Sequence, residues 1–319
     1  ITNDGNSDLQ ADWIWLKERS STSSHHVFDS TRGVGDSGKA LIPNSGGAEG
    51  DDTAFRSFDS DGFTLASTNG YNQNTITNVA WQWKANGGTT SSNSDGSITS
   101  TVQANTTAGF SIVTYTGTGS TATVGHGLGA KPDVYIVKNR EETQDWMGYF
   151  NGTASDPETD GLRLNTSDAI TDAATFWNDT APTSSVFTVN TSTNVNKSSI
   201  DYIAYCFKSI QGYSKFGNYA GNNSTDGPFV YTGFAPAWVM VKRTDGGTNN
   251  WPMWDNKRGF NGNRQELYAN LNNAEATDSA IDILSNGFKL RNASTEWNNG
   301  NNYIYMAFAE HPFVSSKGV

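Results

Sequence analysis

Three stretches decide the fold: Ala11-Asp-Trp-Ile-Trp-Leu-Lys17, Pro132-Asp-Val-Tyr-Ile-Val-Lys138 and Pro236-Ala-Trp-Val-Met-Val-Lys242. Each is an apolar run of strand length, rich in β-branched and aromatic residues, and each ends in a lysine. A run without alternating polar positions belongs to a strand covered on both faces. One pattern met three times in a chain signals an internal repeat.

Two further elements follow each run. The first reads Asp61-Gly-Phe-Thr-Leu65, Ser185-Val-Phe-Thr-Val189 and Asn286-Gly-Phe-Lys-Leu290, with its phenylalanine 46, 49 and 46 residues beyond the lysine. The second reads Val79-Ala-Trp-Gln-Trp83, Ile203-Ala-Tyr-Cys-Phe207 and Ile304-Tyr-Met-Ala-Phe308. Its last aromatic lies 20 residues after that phenylalanine in all three copies. Shorter matches agree. Phe28-Asp-Ser-Thr-Arg-Gly33 answers Trp254-Asp-Asn-Lys-Arg-Gly259, whereas Tyr149-Phe-Asn-Gly152 lacks the Asp and Arg. Leu41, Leu164 and Leu267 correspond, as do Ala48-Glu49 and Ala274-Glu275. A recurring Asp29/Arg32 and Asp255/Arg258 pair reads as a fold-stabilising ion pair.

The expected fold is therefore all-β: three tandem, divergent, antiparallel β-sandwich-like repeats joined by Gly/Ser/Thr-rich connectors. The units span residues 1–85, 109–208 and 209–319, with 86–108 a polar linker or long loop. Gly109-Phe-Ser-Ile-Val-Thr-Tyr-Thr-Gly117 and Gly227-Pro-Phe-Val-Tyr-Thr-Gly233 read as matching connectors. The Ala-rich piece from Asn272 to Ile283 could hold a short helix.

Composition bounds the function. Hydrophobic residues make up 35% of 319, below the roughly 45–50% of globular chains. Ten Trp, 12 Tyr and 16 Phe compensate, because each buried ring removes about 150–250 Å² from water. A net charge of −11 repels a phosphate backbone, so no nucleic-acid partner is expected. No run reaches the roughly 18 apolar residues of a membrane helix. Cys206 is the only cysteine and sits in an apolar run, which fits a buried small hydrophobe. The start at Ile1, without a leader or initiator Met, suggests a fragment of something longer.

Catalytic signatures are not found: no Gly-x-Ser-x-Gly elbow and no His-Glu-x-x-His. His25 and His26 are adjacent, so strand geometry sends them to opposite faces, and they read as surface-loop residues rather than metal ligands. Gly125-His-Gly-Leu-Gly129 reads as a tight turn around His126, and His311 as structural. Asp59-Ser-Asp61-Gly62 begins like a calcium loop, but Phe63 and Leu65 follow where ligands are needed, so a turn is expected. No metal or cofactor is expected. Aromatics outside the core runs could stack on sugar rings: Trp146, Trp177, Trp251, Trp254 and Trp297 are the candidate ligand contacts, with packing inside each unit as the alternative.

Several long phrases carry a family resemblance. Ala108-Gly-Phe-Ser-Ile-Val-Thr-Tyr-Thr-Gly117, Val124-Gly-His-Gly-Leu-Gly129, Ala181-Pro-Thr-Ser-Ser-Val-Phe187 and Asp226-Gly-Pro-Phe-Val-Tyr-Thr-Gly-Phe234 resemble tail-fibre-like proteins of tailed bacteriophages. So do Ile281-Asp-Ile-Leu-Ser-Asn-Gly-Phe288 and Tyr303-Ile-Tyr-Met-Ala-Phe-Ala-Glu-His-Pro-Phe313. The resemblance is to phages of marine and cyanobacterial hosts and is densest from Ala108 onward. It implies a non-enzymatic protein at the virion surface, in a tail fibre or appendage, contacting a host glycan or protein. It also implies other virion proteins as partners. Elongated symmetric packing makes a homotrimer the expected oligomer, with multivalent weak binding as its mechanism. Alternatives are a shaft or decoration protein without receptor contact, a polysaccharide depolymerase needing a carboxylate pair, and a bacterial adhesin or carbohydrate-binding module.

Overall fold

A computed structural model describes residues 1–3, 8–34, 38–66, 70–153 and 156–311. The chain is all-β, built of antiparallel sheets. The three lysine-ended runs form the lead strands Trp13–Glu18, Val134–Asn139 and Pro236–Arg243. Each is flanked by a second strand, His26–Asp29, Met147–Phe150 or Pro252–Asp255, and by a closing strand, Asn78–Trp83, Asp201–Phe207 or Asn302–Ala309. The registers coincide. Trp13 pairs with Asp29 and Trp83, Val134 with Phe150 and Phe207, and Trp238 with Asp255 and Phe308.

The apolar runs lack alternation because both faces of each lead strand are covered. Trp13, Trp15, Val134, Ile136, Trp238 and Met240 all enter one central core shared by the three sheets. The alternate residues enter three separate outer cores: Ile14 and Leu16 in the first, Tyr135 and Val137 in the second, Val239 and Val241 in the third. The Gly-Phe elements lid these outer cores, and Phe63, Phe187 and Phe288 are fully buried there. Each such side chain contributes about 1.5–3 kcal/mol by leaving water.

The units close on one another in a ring. The backbone N–H of Glu49 donates to Arg140 O at 2.7 Å, that of Ile170 to Thr244 O at 3.3 Å, and that of Glu275 to Arg19 O at 2.8 Å. Each acceptor lies two residues after a lead-strand lysine. Unit two thus binds unit one, unit three binds unit two, and unit one binds unit three.

Three expectations are corrected. The stretch 86–108 is not a linker: Ser91–Asn93 and Ser100–Asn105 extend the second unit's sheet. It reads as loop because this sheet edge needs few apolar anchors, chiefly Ile98 and Val102, while buried Gln103 binds Ser30, Thr31 and the amides of Asn86 and Gly88. The two connectors do not match in space. The counterpart of Phe110–Thr116 is Ser214–Ala220, since each pairs with its unit's closing strand, and Phe229–Tyr231 instead pairs with the Gly-Phe strand. Residues 272–283 form no helix; they give the strands Ala276–Asp278 and, from Ile281, Ile281–Leu284.

Candidate functional site

All five candidate tryptophans are buried, so Trp146, Trp177, Trp251, Trp254 and Trp297 offer no ring face to a ligand. Trp177 donates to Asp160 O at 2.8 Å, and Trp254 packs edge-on against Trp297 at 5.5 Å. Trp146 and Trp251 instead wedge between units. Trp146 Nε1–H reaches Ile42 O at 3.0 Å and Ser45 O at 3.2 Å; Trp251 Nε1–H reaches Arg163 O at 3.0 Å. By register His25 holds the same position in unit one. It is fully buried, accepts Trp15 Nε1–H at 2.8 Å, and is not a surface-loop residue. Burial keeps its imidazole neutral, well below the usual histidine range. His26, on the opposite face, packs against Tyr71 with ring centroids 4.6 Å apart.

The recurring Asp/Arg pairs belong to ion networks at two of the three junctions. Arg32 binds Asp29 at 2.5 Å and Glu49 at 3.0 Å, Arg140 of unit two binds Glu49 at 2.9 Å, and Tyr205 O–H of unit two donates to Asp29 at 2.7 Å. Unit three repeats this. Arg258 binds Asp255 at 2.6 Å and Glu275 at 3.3 Å, Arg19 of unit one binds Glu275 at 2.7 Å, and Trp81 Nε1–H donates to Asp255 at 3.0 Å. Burial raises the Glu49 carboxyl, but Arg140 and Arg32 outweigh it and hold the group below its ordinary value. At the third junction Phe150 stands at the Asp position and Met306 at the Tyr205/Trp81 position. Both the acid and its donor are gone together.

The three lead-strand lysines are buried too. Lys138 donates to Gly46 O of unit one, Asn139 O and Gln144 O at 2.8–3.0 Å; Lys242 donates to Ser167 O of unit two and to Asn249 O. Lys17 stays within its unit, on Glu18 O and Ser21 O. Desolvation lowers all three ammoniums to about 8.

Other singled-out residues have local roles. His126 is buried, accepts Leu128 N–H at 3.2 Å, and is lowered by burial to about 4; Gly127 and Gly129 around it have φ of +70° and +67°. Cys206 is fully buried, and burial raises its thiol to about 12. Asp59–Gly62 is a hairpin turn, with Asp59 accepting Ser57 and Thr64 hydroxyls. Among the described residues no group of His, Cys, Asp and Glu has the clustering of a metal site.

Phe260 and Leu284 are exposed singly, whereas Phe229 and Tyr231 together form an outward ledge that sequence reasoning missed. Phe229-Val230-Tyr231 alternates out, in, out: Tyr231 is 59% and Phe229 44% exposed, while Val230 enters the outer core. Lys215 Nζ lies 5.2 Å from the Tyr231 ring centroid and donates to Tyr231 O at 2.8 Å. Beside the ring runs a groove of about 360 Å³ lined by Ser209, Gln211, Gly212, Lys215 and Thr232. An exposed ring next to hydroxyl, amide and ammonium donors can stack on an apolar sugar face and bind its hydroxyls. A second cavity, of about 330 Å³, holds Glu18, Asp52, His26 and Tyr71. Its carboxylates are engaged: Asp52 accepts Ala54 N–H and Tyr71 O–H, and Glu18 accepts Ser21 O–H.

No helix of the described residues is long and apolar enough to cross a membrane. No curated protein and no solved structure matches the chain. A family of unknown function, DUF7483, matches residues 4–312, nearly the whole ring of three units, and the chain belongs to that family.

Proposed function

We propose that the protein is a non-enzymatic module of a tailed-phage virion appendage, of tail-fibre type, that contacts the host surface. The Tyr231 ledge carries this reading: it is an exposed aromatic platform with donors and a groove beside it. The phrases shared with tail-fibre-like proteins support the virion setting. The ligand class is a surface glycan, met weakly and in several copies, as multivalency allows. The ring gives one chain the threefold shape that a fibre otherwise assembles from three chains, and a homotrimer would multiply the ledges. Host-cell and glycan-array binding by the recombinant chain, presented at high valency, tests the reading. Binding that Tyr231→Ala reduces several-fold supports it. No binding at any valency would sink the receptor role and favour a shaft or decoration protein, a reading supported by the burial of all five candidate tryptophans. Antibody labelling of particles in electron micrographs tests the virion location.

A further inference from the structure

In units two and three the closing strand is paired on its far side by a further strand. Phe110–Thr116 lies beside Asp201–Phe207, and Ser214–Ala220 beside Asn302–Ala309. The two arrangements are equivalent. Phe110 faces Phe207 as Ser214 faces Phe308; Tyr115 stacks on Tyr202 at 5.3 Å as Tyr219 stacks on Tyr303 at 5.1 Å. Each strand ends at a glycine, Gly117 or Gly221, whose Cβ position abuts a carbonyl oxygen, of Lys197 or Asn299, in the loop that leads into the closing strand. The shared pattern is Phe/Ser-x-Ile/Phe-x-x-Tyr-x-Gly, with Ile112 and Phe216 on the central-core face.

Among the described residues of unit one no strand takes this place. Asn78–Trp83 is the edge of a three-stranded sheet. Arg19 N–H donates to Thr77 O on the lead-strand side, so ladder parity turns the amides of Asn78, Ala80 and Gln82 outward. Beyond them lies a largely apolar groove of about 340 Å³, between Val79, Trp81 and Trp83 on one wall and Trp238 and Phe308 on the other. The matching place at the junction of units two and three is a residual gap of about 10 Å³ beside Phe216, Val134 and Phe150. By register Trp238 corresponds to Val134, and Asp255, which also lines the groove, to Phe150. The groove is thus the same site without its strand. Two buried polar atoms on its walls, Trp238 Nε1 and Gln82 Oε1, have no hydrogen-bond partner.

We infer that this groove is a strand acceptor. It takes an extended segment of another protein chain, antiparallel to Asn78–Trp83, with an apolar residue at the Ile112/Phe216 position. Main-chain bonds to the outward amides give affinity and the groove selects the side chain, the mode of β-strand addition. The occupant is not one of this chain's own strands of that pattern, because both are already paired. The site continues the interface that Trp81 and Asp255 form between units one and three. Asn78 stands where Tyr202 and Tyr303 stand, so the tyrosine of the pattern meets an amide here and is dispensable.

The test uses the 319-residue protein and a fluorescently labelled peptide of the sequence Ala108–Thr118, read by anisotropy. One-to-one saturable binding is expected, with hydrogen-exchange protection appearing at the amides of Ala80 and Gln82. An N-methyl group on the peptide amide equivalent to Val113 removes one ladder bond and weakens binding about tenfold. Aspartate at the Ile112 position weakens it further. The inference is overturned if the peptide fails to saturate, if the N-methylated peptide binds equally well, or if protection appears only where Phe110–Thr116 normally pairs. Sedimentation showing that two copies pair through Asn78–Trp83 would overturn it in favour of self-association.

Discussion

Trp81 of the first unit donates its indole N–H to Asp255 of the third at 3.0 Å, and the Arg258 guanidinium lies 5.3 Å from the Trp81 ring centroid. One aromatic side chain thus serves an acid and its counter-ion across a junction.

Removing that acid should be costly. Asp255→Ala leaves Arg258 buried with its main partner gone, and a loss of about 3–5 kcal/mol is expected in urea unfolding. Trp81→Phe removes the donor and part of the packing. The double variant should cost less than the sum of the singles, because both changes break one network. Additive losses would show that Trp81 and Asp255 are energetically independent.

The buried and exposed aromatics should separate cleanly. Trp251→Ala empties a wedge between units two and three and should cost about 3–5 kcal/mol. Tyr231→Ala should change stability by no more than about 0.5 kcal/mol, since the ring is exposed. Thermal melts of both variants, beside host-cell binding of the second, check this.

Lys138→Met removes the ammonium that the carbonyls of Gly46, Asn139 and Gln144 share and should destabilise by about 1–3 kcal/mol. Lys242→Met should behave alike. Lys17→Met should cost less, because Lys17 ties no second unit. Lys257→Met, on an exposed side chain, should be neutral within about 0.5 kcal/mol. Equal losses for all four would argue against a role at the junctions.

Glu266 supplies a pH signature. Burial raises its carboxyl from 4.5 to about 7, although Tyr268 O–H donates to it at 2.7 Å. Between those values the folded state holds a proton that the unfolded state has released. The contribution of Glu266 is therefore complete below about pH 4.5 and is lost as the pH rises towards 7. Wild type should lose stability relative to Glu266→Gln across that window, measured as the difference between two denaturation series. A flat difference would show that the carboxyl titrates normally in the fold.

The sequence made the strand ladder legible, because a lysine-ended run and a fixed 20-residue step are local properties. The ring was not legible, since a repeat does not say what its copies pack against. The equivalence of His25, Trp146 and Trp251 was hidden by the change of residue type. An isolated Trp146 in a polar stretch looks like a surface ring until Ile42 and Ser45 of another unit are seen above it. Phe229-Val-Tyr231 reads as a connector, and only its pairing with the Gly287–Leu290 strand shows that Val230 turns inward while Phe229 and Tyr231 turn outward. Residues 86–108 misled because a sheet margin folded on Gln103 and Val102 has the composition of a loop.

The presence of Phe150 and Met306 at the third junction, where the other two have an acid met by Tyr205 or Trp81, bears on how such a ring can vary. Three identical chains around an exact axis must use the same chemistry at every seam. Joining the copies in one polypeptide lifts that constraint, so one seam can do without the acid–arginine network that the other two carry. The acid on one unit and its donor on the next can then be kept or lost as a pair at each seam, independently of the other two.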